Sequence, residues 1–535
     1  MTDQKLNINI SLLYPSEESK SLGCSKNGLS EYTSEQLELY RLIEVVNCNF
    51  GDFFTNDRDT ILYRQEMFRD MTSCPELSVM FRRLIPLISD ITELRRLGSD
   101  PAFSAEAYLY SITEVELYTS VITLLRDTLI PLKDTLKSRA FTSLIEVAET
   151  LTESEYYKNI NKQLEELTSR VREVKSVTIG VNLDSSLKAE SAGVLAVNND
   201  KFKSGQLLDK ILRLDFKSSE MTCIAPLTPF RKDQSENQQL ALTYALSAAL
   251  SDVFRSSIRS WKRVIQGYVL ENTDFLIRML PELEFVLKAT ETLKALSEKG
   301  CPLTYPELAD NSERTFDAIG LCNPVVSVKL DVPVVPNDFK FDENGTIYVL
   351  TGPNRGGKSV ITCAVGCAFA MTGLGLPVPA EKCVISPTDS IFTHFPQGSE
   401  DTIDKGRLGE ECSRLEGIFE KITNESLVLL DESFSSTGAY EASVIAGEVI
   451  CGFAAVGCRG IFSTHLHDLA ARTDELNARC EGMDAVKIDN LIAEVSGGER
   501  SFKIIRKSPD GKSYAADIAK KYGLSFDVIK DKIGK

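Results

Sequence analysis

The stretch that decides the fold reads Gly352-Pro353-Asn354-Arg355-Gly356-Gly357-Lys358-Ser359. A short apolar run typical of a buried strand, 346–351, precedes it, and a long apolar segment typical of a helix follows it. A strand, a glycine-rich loop and a helix form the context of a phosphate-binding loop, whose backbone N–H groups turn onto phosphate oxygens. All eight residues are therefore predicted to bind ATP, with Lys358 reaching the β- and γ-phosphates and Ser359 acting as a ligand of Mg²⁺.

A second apolar run, 427–430, is predicted to be a buried strand and ends at Asp431 and Glu432. Phosphoryl transfer depends on positioning and charge neutralisation more than on covalent chemistry. Asp431 is accordingly predicted to hold Mg²⁺, usually through water, and Glu432 to orient or deprotonate the attacking water. A solvated strand end would explain either acid alone, but their order after a phosphate-binding loop favours catalysis.

The chain has three histidines, and His465 follows a third predicted strand, 460–463. Because the carboxyl ends of parallel strands meet at one edge of a sheet, His465 is predicted to touch the γ-phosphate. His467 and His394 are expected to make ordinary polar contacts. The predicted catalytic residues are therefore Glu432, His465 and Lys358.

Hydrophobic periodicity divides the chain into a helical half and a half in which strands and helices alternate. Residues 1–33 are predicted to be an N-terminal segment, and 34–310 a mostly α-helical domain with a small β insertion at about 176–226. Residues 311–535 are predicted to form an α/β domain. The long helical stretches on both sides of the insertion suggest an arm that carries a β tip.

The composition is that of a globular protein with a formal net charge of −17. This charge limits any nucleic-acid contact to a local patch, because phosphate binding draws on lysine and arginine. The thirteen cysteines are scattered and do not form a zinc motif. The first residues show no apolar secretory core, so a cytoplasmic location is predicted. The uncharged stretch 360–380 is predicted to be a buried helix and a loop, not a membrane span.

The segment Ser496-Gly497-Gly498-Glu499-Arg500 looks like the signature of ABC transporter ATPases. That signature opens a helix ahead of the Asp-Glu strand, whereas this segment lies beyond both Asp431 and His465. It is flanked by two strand-like runs, 492–495 and 502–505. We therefore predict a hairpin turn.

The order of these motifs resembles the MutS family of DNA mismatch-repair ATPases, in which TGPN-x-GGKS, a strand ending in Asp-Glu with a Ser/Thr-rich tail, and Ser-Thr-His follow one another. The matching segments are 351–359, 377–382, 391–393, 429–437, 463–469 and 510–514. A looser likeness to the family's lever region covers 63–65 and 283–308. Together the closer matches cover nearly all of residues 314–535.

The resemblance implies an α/β P-loop ATPase domain of the ABC type behind a helical lever and clamp. It also implies a homodimer that hydrolyses ATP with Mg²⁺ to open and close on DNA, in mismatch repair or recombination. DNA, a second copy of the chain and other repair or recombination proteins are then the expected partners. A DNA-bound protein would be associated with the nucleoid.

Several departures from the family pattern accompany these matches. The 33 residues before Ser34 are too few for the family's mismatch-reading domain, so we expect no mismatch recognition by its wedge. The family's trans-acting loop reads Ser-x-Phe-x-x-Glu, and the aligned residues here are Gly406, Leu408 and Glu411. Glu411, with Arg407 or Ser413 in place of the missing serine, is assigned to this loop.

The resemblance also places the adenine site at Val334 and Asn337, where the family's stacking aromatic residue is absent. A basic patch is predicted to contact DNA, although a solvated helix face would also explain a charge run on a helix. The candidate DNA-binding residues are Arg255, Arg259, Lys262, Arg263, Lys201 and Lys203. Two alternatives stay open: a family member acting on structured RNA, ribosomes or DNA junctions, and a transporter-associated ABC ATPase.

Overall fold

The computed structural model describes residues 8–23, 28–45, 48–98, 107–155, 157–158, 160, 162, 176–186, 189–198, 203–204, 222–223, 273–330, 334–396, 406–496, 499–508, 523 and 528–530. The chain divides into two compact units. The first comprises Met1–Ile10, Val79–Thr135 and Thr142–Leu280. The second comprises Ser11–Ser78, Leu136–Phe141 and Pro281–Lys535.

Helices dominate the described residues before position 300, as the periodicity predicts. The helices are α1 (Glu17–Gly23), α2 (Glu31–Gln36), α3 (Leu39–Leu42), α4 (Arg58–Ser73), α5 (Pro75–Gly98), α6 (Ala107–Leu129), α7 (Arg139–Glu153), α8 (Asp274–Glu298), α9 (Pro324–Lys329), α10 (Lys358–Gly373), α11 (Gly406–Phe419), α12 (Ala439–Val456), α13 (His467–Ala471) and α14 (Thr473–Arg479). Short 3₁₀ turns lie at Phe50–Asp52, Ile130–Leu132 and Asn311–Glu313.

Strands occupy the predicted β insertion and the last third of the chain. The strands are β1 (Ser176–Leu183), β2 (Ala189–Asn198), β3 (Lys203–Ser204), β4 (Thr222–Cys223), β5 (Glu307–Leu308), β6 (Phe316–Leu321), β7 (Asn337–Phe341), β8 (Ile347–Thr351), β9 (Lys382–Ile385), β10 (Ile391–His394), β11 (Leu427–Asp431), β12 (Arg459–Ser463), β13 (Ile488–Ser496) and β14 (Glu499–Arg506).

The first unit combines packed helices with a β ribbon. Leu84, Ile88 and Ile91 lie one or two helical turns apart on α5, and all three are buried. Arg95, at the end of the same helix, donates from Nε to Oε1 of Glu114 at 2.8 Å. β1 and β2 pair antiparallel from Ser176 opposite Asn198 to Leu183 opposite Ala189, so the predicted insertion does form strands.

The second unit contains the main sheet, whose six strands run in the order β10-β11-β12-β8-β13-β14. All neighbours are parallel except β14, which pairs antiparallel with β13 at one edge. A separate sheet has the order β5-β9-β6-β7. The strands predicted before the phosphate-binding loop, before Asp431 and before His465 are β8, β11 and β12. They are three adjacent parallel strands, so an α/β domain is confirmed.

Helices cover the two faces of the main sheet because side chains alternate along a strand. Added atoms at Gly366 of α10 would meet Leu429 of β11 on one face, at 2.7 Å. Val428 and Leu430, which point to the other face, lie in a core cluster with residues of α12 that include Ala446, Ile450 and Phe453. The stretch 360–380 is thus a buried helix followed by a loop, as predicted.

Helix α12 is, by length and composition alone, apolar enough to cross a membrane. Its inner residues Ala446, Ile450 and Phe453 are nevertheless part of the core beside β11 and β12. A helix with one face packed on a parallel sheet is expected to be this apolar. We therefore interpret α12 as a core helix of the α/β layer.

Residues ahead of Ser34 cover the β10 edge of the main sheet. Ile391 N donates to Gly28 O at 2.8 Å, and Leu29 forms a parallel bridge with Ile391. Thr33 Oγ1 donates to Ile391 O at 3.2 Å. The boundaries of the two compact units differ from the predicted domain limits at 33 and 310. The assignment of 34–310 as a lever stays a prediction.

Candidate active site

The predicted phosphate-binding loop leaves β8 at Thr351 and turns into α10 at Lys358. Gly352 has a φ of 140° and Gly357 a φ of 97°, a backbone region that favours glycine. A Cβ at Gly352 would lie 2.7 Å from Cβ of Ala493 on β13. Glycine at 352 is thus required by backbone conformation and by the neighbouring strand together.

Lys358 is the first residue of α10 and is 5% exposed. Its Nζ donates to the carbonyl oxygens of Gly352 at 3.2 Å and Pro353 at 3.3 Å, both within its own loop. Burial lowers the pKa of Lys358, while Glu432 and Asp431 raise it. The ammonium group is therefore inside the loop, with both acidic residues close enough to affect its charge.

The other polar residues of the loop lie towards solvent. Asn354, Arg355 and Ser359 are exposed, and Arg355 has a left-handed φ of 60°. Ser359 is the second residue of α10, so its hydroxyl is at the positive end of the helix dipole. This end of a helix favours a bound anion such as phosphate.

Asp431 is the last residue of β11 and lies opposite Ser463, the last residue of the parallel strand β12. Its side chain is 8% exposed, and Oδ1 has no hydrogen-bond partner among the described residues. A buried carboxylate oxygen without a donor is costly unless a cation or water binds it. The residues present thus fit Mg²⁺, with Asp431 and Ser359 as the groups that would hold it.

Glu432 and His465 meet at the same edge of the sheet. The backbone N–H of Glu432 donates to Ser463 O at 2.8 Å, and Nε2 of His465 lies 2.7 Å from Oε1 of Glu432. Both side chains are partly exposed. His467 begins α13, and burial lowers its pKa, with further lowering by His465 and Lys358. The predicted catalytic residues thus lie around one strand edge.

His394 makes a polar contact, as expected, but its partner Ser433, the residue after Glu432, is a feature that sequence reasoning missed. It ends β10, is 2% exposed, and places Nδ1 2.7 Å from Oγ of Ser433, the residue after Glu432. Burial lowers the pKa of His394 to about 4, helped by the charge of Arg414. The imidazole is therefore neutral at pH 7. A histidine ending a strand next to β11 was the available signal.

Glu411 contacts the loop after β11 of its own chain. Its carboxylate accepts a hydrogen bond from Phe434 N at 2.5 Å and another from Ser436 Oγ at 3.0 Å. Gly406, Arg407 and Ser413 on the same helix are exposed, and Leu408 packs against the core cluster. The predicted action of Arg407 and Glu411 on a partner's nucleotide stays a prediction.

Asn337 is held by a neighbouring strand. It is 6% exposed, its Oδ1 accepts from Ile504 N at 2.7 Å, and its Nδ2 donates to Phe502 O at 3.2 Å. These bonds join β7 to β14. Val334 lines a cavity of about 250 Å³ with Cys301, Cys322, Pro336 and other residues. Contact of Val334 and Asn337 with adenine stays a prediction.

The candidate DNA-binding residues are mostly outside the part of the chain that the structure describes. Arg255, Arg259, Lys262, Arg263 and Lys201 all lie there. Lys203 belongs to β3, but its side chain is not among those described.

The segment Ser496–Arg500 joins two antiparallel strands. β13 and β14 pair with Ser496 opposite Glu499, which confirms the predicted hairpin.

Two family models match the chain. The model described as MutS domain V matches residues 348–533, which include residues 352–359, Asp431, Glu432 and His465. The model described as MutS2 N-terminal domain matches residues 56–299, in the mostly helical part. The two matches do not overlap, and they follow one another in the order that the motifs imply.

Proposed function

The chain belongs to the MutS family, in a form consistent with a MutS2-like member, and from that premise we propose that it hydrolyses ATP at residues 352–359 to open and close a dimeric clamp on DNA. MutS domain V is the domain of an ATPase family, which supports ATPase activity in general. Hydrolysis at this loop, the dimer, the DNA contact, a role in mismatch repair or recombination and a cytoplasmic location are parts of the proposal.

One observation carries the ATPase proposal. Lys358, Asp431, Glu432 and His465 lie at or shortly after the ends of three adjacent parallel strands, and Nε2 of His465 lies 2.7 Å from Oε1 of Glu432. Ligands of open parallel sheets bind beyond the carboxyl ends of the strands, where helix N-termini add positive charge. The backbone at Gly352 has a conformation that favours glycine, which fits the close approach of a phosphate group. The buried Oδ1 of Asp431 has no donor among the described residues, which fits a cation bound with that phosphate.

Each group has a distinct task in the proposed reaction. Backbone N–H groups of the loop and Lys358 would bind the phosphates, replacing the bonds that Nζ makes to Gly352 and Pro353. Glu432 would orient or deprotonate the attacking water, and His465, which contacts the Glu432 carboxylate, would touch the γ-phosphate. Bound Mg²⁺, held by Ser359 and Asp431, would neutralise charge that develops on the phosphate oxygens.

Purified protein tests the catalytic proposal directly. We expect phosphate release from ATP that requires Mg²⁺ and is lost on addition of a chelator. The rate should saturate with ATP, and an unhydrolysable ATP analogue should inhibit it. Absence of Mg²⁺-dependent hydrolysis in protein that retains its fold by circular dichroism would exclude the ATPase assignment.

The nucleic-acid part needs a separate measurement, because a net charge of −17 confines contacts to a local surface. ATPase stimulation should be compared for homoduplex DNA, mismatched duplex, four-way junction and structured RNA, each over a salt series. Stimulation by DNA that falls steeply with salt supports the clamp. Stimulation by RNA alone, or by no nucleic acid, would exclude DNA as the substrate and leave the ATPase unaffected.

A further inference from the structure

The loop after β11 has an unfavourable backbone that its surroundings must hold. Glu432 has a φ of 49° and Phe434 a φ of 64°, so two residues with side chains adopt left-handed conformations within three positions. Residues in such conformations persist only where neighbouring groups determine them. The position of the Glu432 carboxylate therefore depends on what restrains residues 433–436.

Glu411 supplies the first restraint. One carboxylate oxygen accepts from the backbone N–H of Phe434, and the other accepts from Ser436 Oγ at 3.0 Å. Both left-handed residues lie ahead of or at this attachment, so it fixes where the turn ends. A carboxylate that accepts a backbone N–H makes one of the stronger hydrogen bonds of a protein.

The helix that carries Glu411 is itself anchored in the core. Leu415 and Ile418, one and two turns after Glu411 on α11, are buried in the same cluster as Phe434. A displacement of α11 must therefore disturb either this core or the two bonds from Glu411. The helix and the loop are coupled mechanically.

His394 supplies a second restraint, from the neighbouring strand β10. β10 and β11 are in parallel register with His394 opposite Leu430, which brings the imidazole level with the start of the loop. Nδ1 lies 2.7 Å from Ser433 Oγ, and Ser433 Oγ donates to His394 O at 3.3 Å. Glu432 is thus held between Ser433 on one side and its own contact with His465 on the other.

We propose that Glu411 and His394 are positioning residues that hold Glu432 in its catalytic place, so that helix α11 controls hydrolysis in its own chain. This inference rests on the proposed ATPase function. It differs from the family-based expectation for the loop at Gly406, in which these residues act on the nucleotide of a partner. Their contacts are with residues 433–436, through the Phe434 N–H and the hydroxyls of Ser433 and Ser436.

Variants of Glu411 test the proposal. Glu411→Ala removes both acceptors and should lower kcat roughly 10- to 100-fold with KM for ATP within about twofold, because small displacements of a catalytic group cost this much. Glu411→Gln keeps one amide oxygen and should retain more activity than Glu411→Ala. Glu416→Ala, on the same helix with an exposed side chain, is the matched control and should leave kcat unchanged.

Variants of His394 separate positioning from simple packing. His394→Phe retains an aromatic ring without a hydrogen bond and should lower kcat, whereas His394→Asn can still bond to Ser433 and should restore part of it. The effects of His394→Phe and Ser433→Ala should not add in the double variant, because both break the same contact. Equal kcat in His394→Phe and wild type, or no recovery in His394→Asn, would overturn the role of His394.

Hydrogen exchange without nucleotide gives a readout that does not depend on ATPase activity. Amides of residues 432–437 should exchange faster in Glu411→Ala and at the wild-type rate in Glu416→Ala. Unchanged exchange, or faster exchange with unchanged kcat, would overturn the role of Glu411. If wild-type protein hydrolyses no ATP, the proposed function fails, and the exchange result alone decides whether Glu411 holds the loop.

Discussion

Residues 352–359 form one uninterrupted segment, a loop and the first two residues of α10, whereas the groups around Glu432 come from β10, β11, α11 and the chain after β12. In the first region the backbone makes the site: Gly352 has a φ that favours glycine, and Lys358 bonds within its own loop. In the second region, side chains that are far apart in sequence form the site. Glu411 and Phe434 are 23 positions apart, and His394 and Ser433 are 39 positions apart.

Under the proposed function, this difference assigns nucleotide binding and catalysis to different parts of the fold. Phosphate binding requires one loop between a strand and a helix, which short-range sequence can encode completely. Alignment of a catalytic carboxylate requires several elements to arrive in register. Changes in the contiguous loop should therefore affect nucleotide affinity, and changes around Glu432 should affect turnover.

The largest effect is expected for Glu432→Gln. The amide fills the same space but cannot accept a proton from water, so kcat should fall by roughly 10²- to 10⁴-fold while ATP still binds. Steady-state phosphate release and equilibrium binding of ATP measure the two parts. Glu420→Gln, an exposed glutamate, serves as control. Normal turnover in Glu432→Gln would show that the group of residues around Glu432 is not catalytic.

Lys358→Ala should act on binding instead. Loss of a buried cation that pairs with phosphate costs roughly 2–5 kcal/mol, so the Kd for ATP should rise by about 30-fold or more. Titration with a fluorescent ATP analogue gives the Kd. Lys421→Ala, at an exposed position, should bind like wild type. An unchanged Kd in Lys358→Ala would remove the distinction between the two regions.

Because His394 is neutral in the folded protein, we expect the free energy of unfolding to fall in acid. Its pKa is about 4 in the folded protein, below the usual 6.5, so the unfolded chain takes up a proton first as pH falls. The stabilisation is complete above pH 6.5 and is lost between pH 6.5 and 4, by up to about 3 kcal/mol. Urea unfolding at pH 7, 5.5 and 4.5 should show this loss in wild type and a smaller one in His394→Phe. The same dependence of the free energy of unfolding on pH in both proteins would contradict this role of His394.

The smallest effect concerns Asn337, which the family resemblance assigns to the adenine site. Asn337→Ala leaves Ile504 N and Phe502 O without their partner and should destabilise the protein by roughly 1–3 kcal/mol. Thermal unfolding with and without ATP separates stability from binding. Asn344→Ala, with an exposed side chain, should unfold like wild type. A loss of ATP affinity without a change in unfolding temperature would restore the base-binding role.

Much of the α/β domain was predictable because its signals are local. Three short apolar runs, each followed by the expected polar residues, correctly indicated β8, β11 and β12, and the apolar run after Lys358 indicated a buried helix. The hairpin at Ser496–Arg500 also followed from its flanking strands. The predicted limits at 33 and 310 do not coincide with the compact units, since residues ahead of Ser34 pair with Ile391, a contact between segments over 350 positions apart.

The sequence by itself indicated the residues that the proposed function assigns to phosphate binding and hydrolysis, because the motif of residues 352–359 and the pair Asp431-Glu432 each lie within a few positions. Only the tertiary structure decided which side chains hold Glu432. Glu411 carries no local signal for that role, and the signal for His394 is limited to its place at the end of a strand. A hydrogen bond between distant elements depends on strand register and on the packing of α11. Glu411 and His394 contact the loop after β11 because the fold brings them close to it, and the order of residues does not state that proximity.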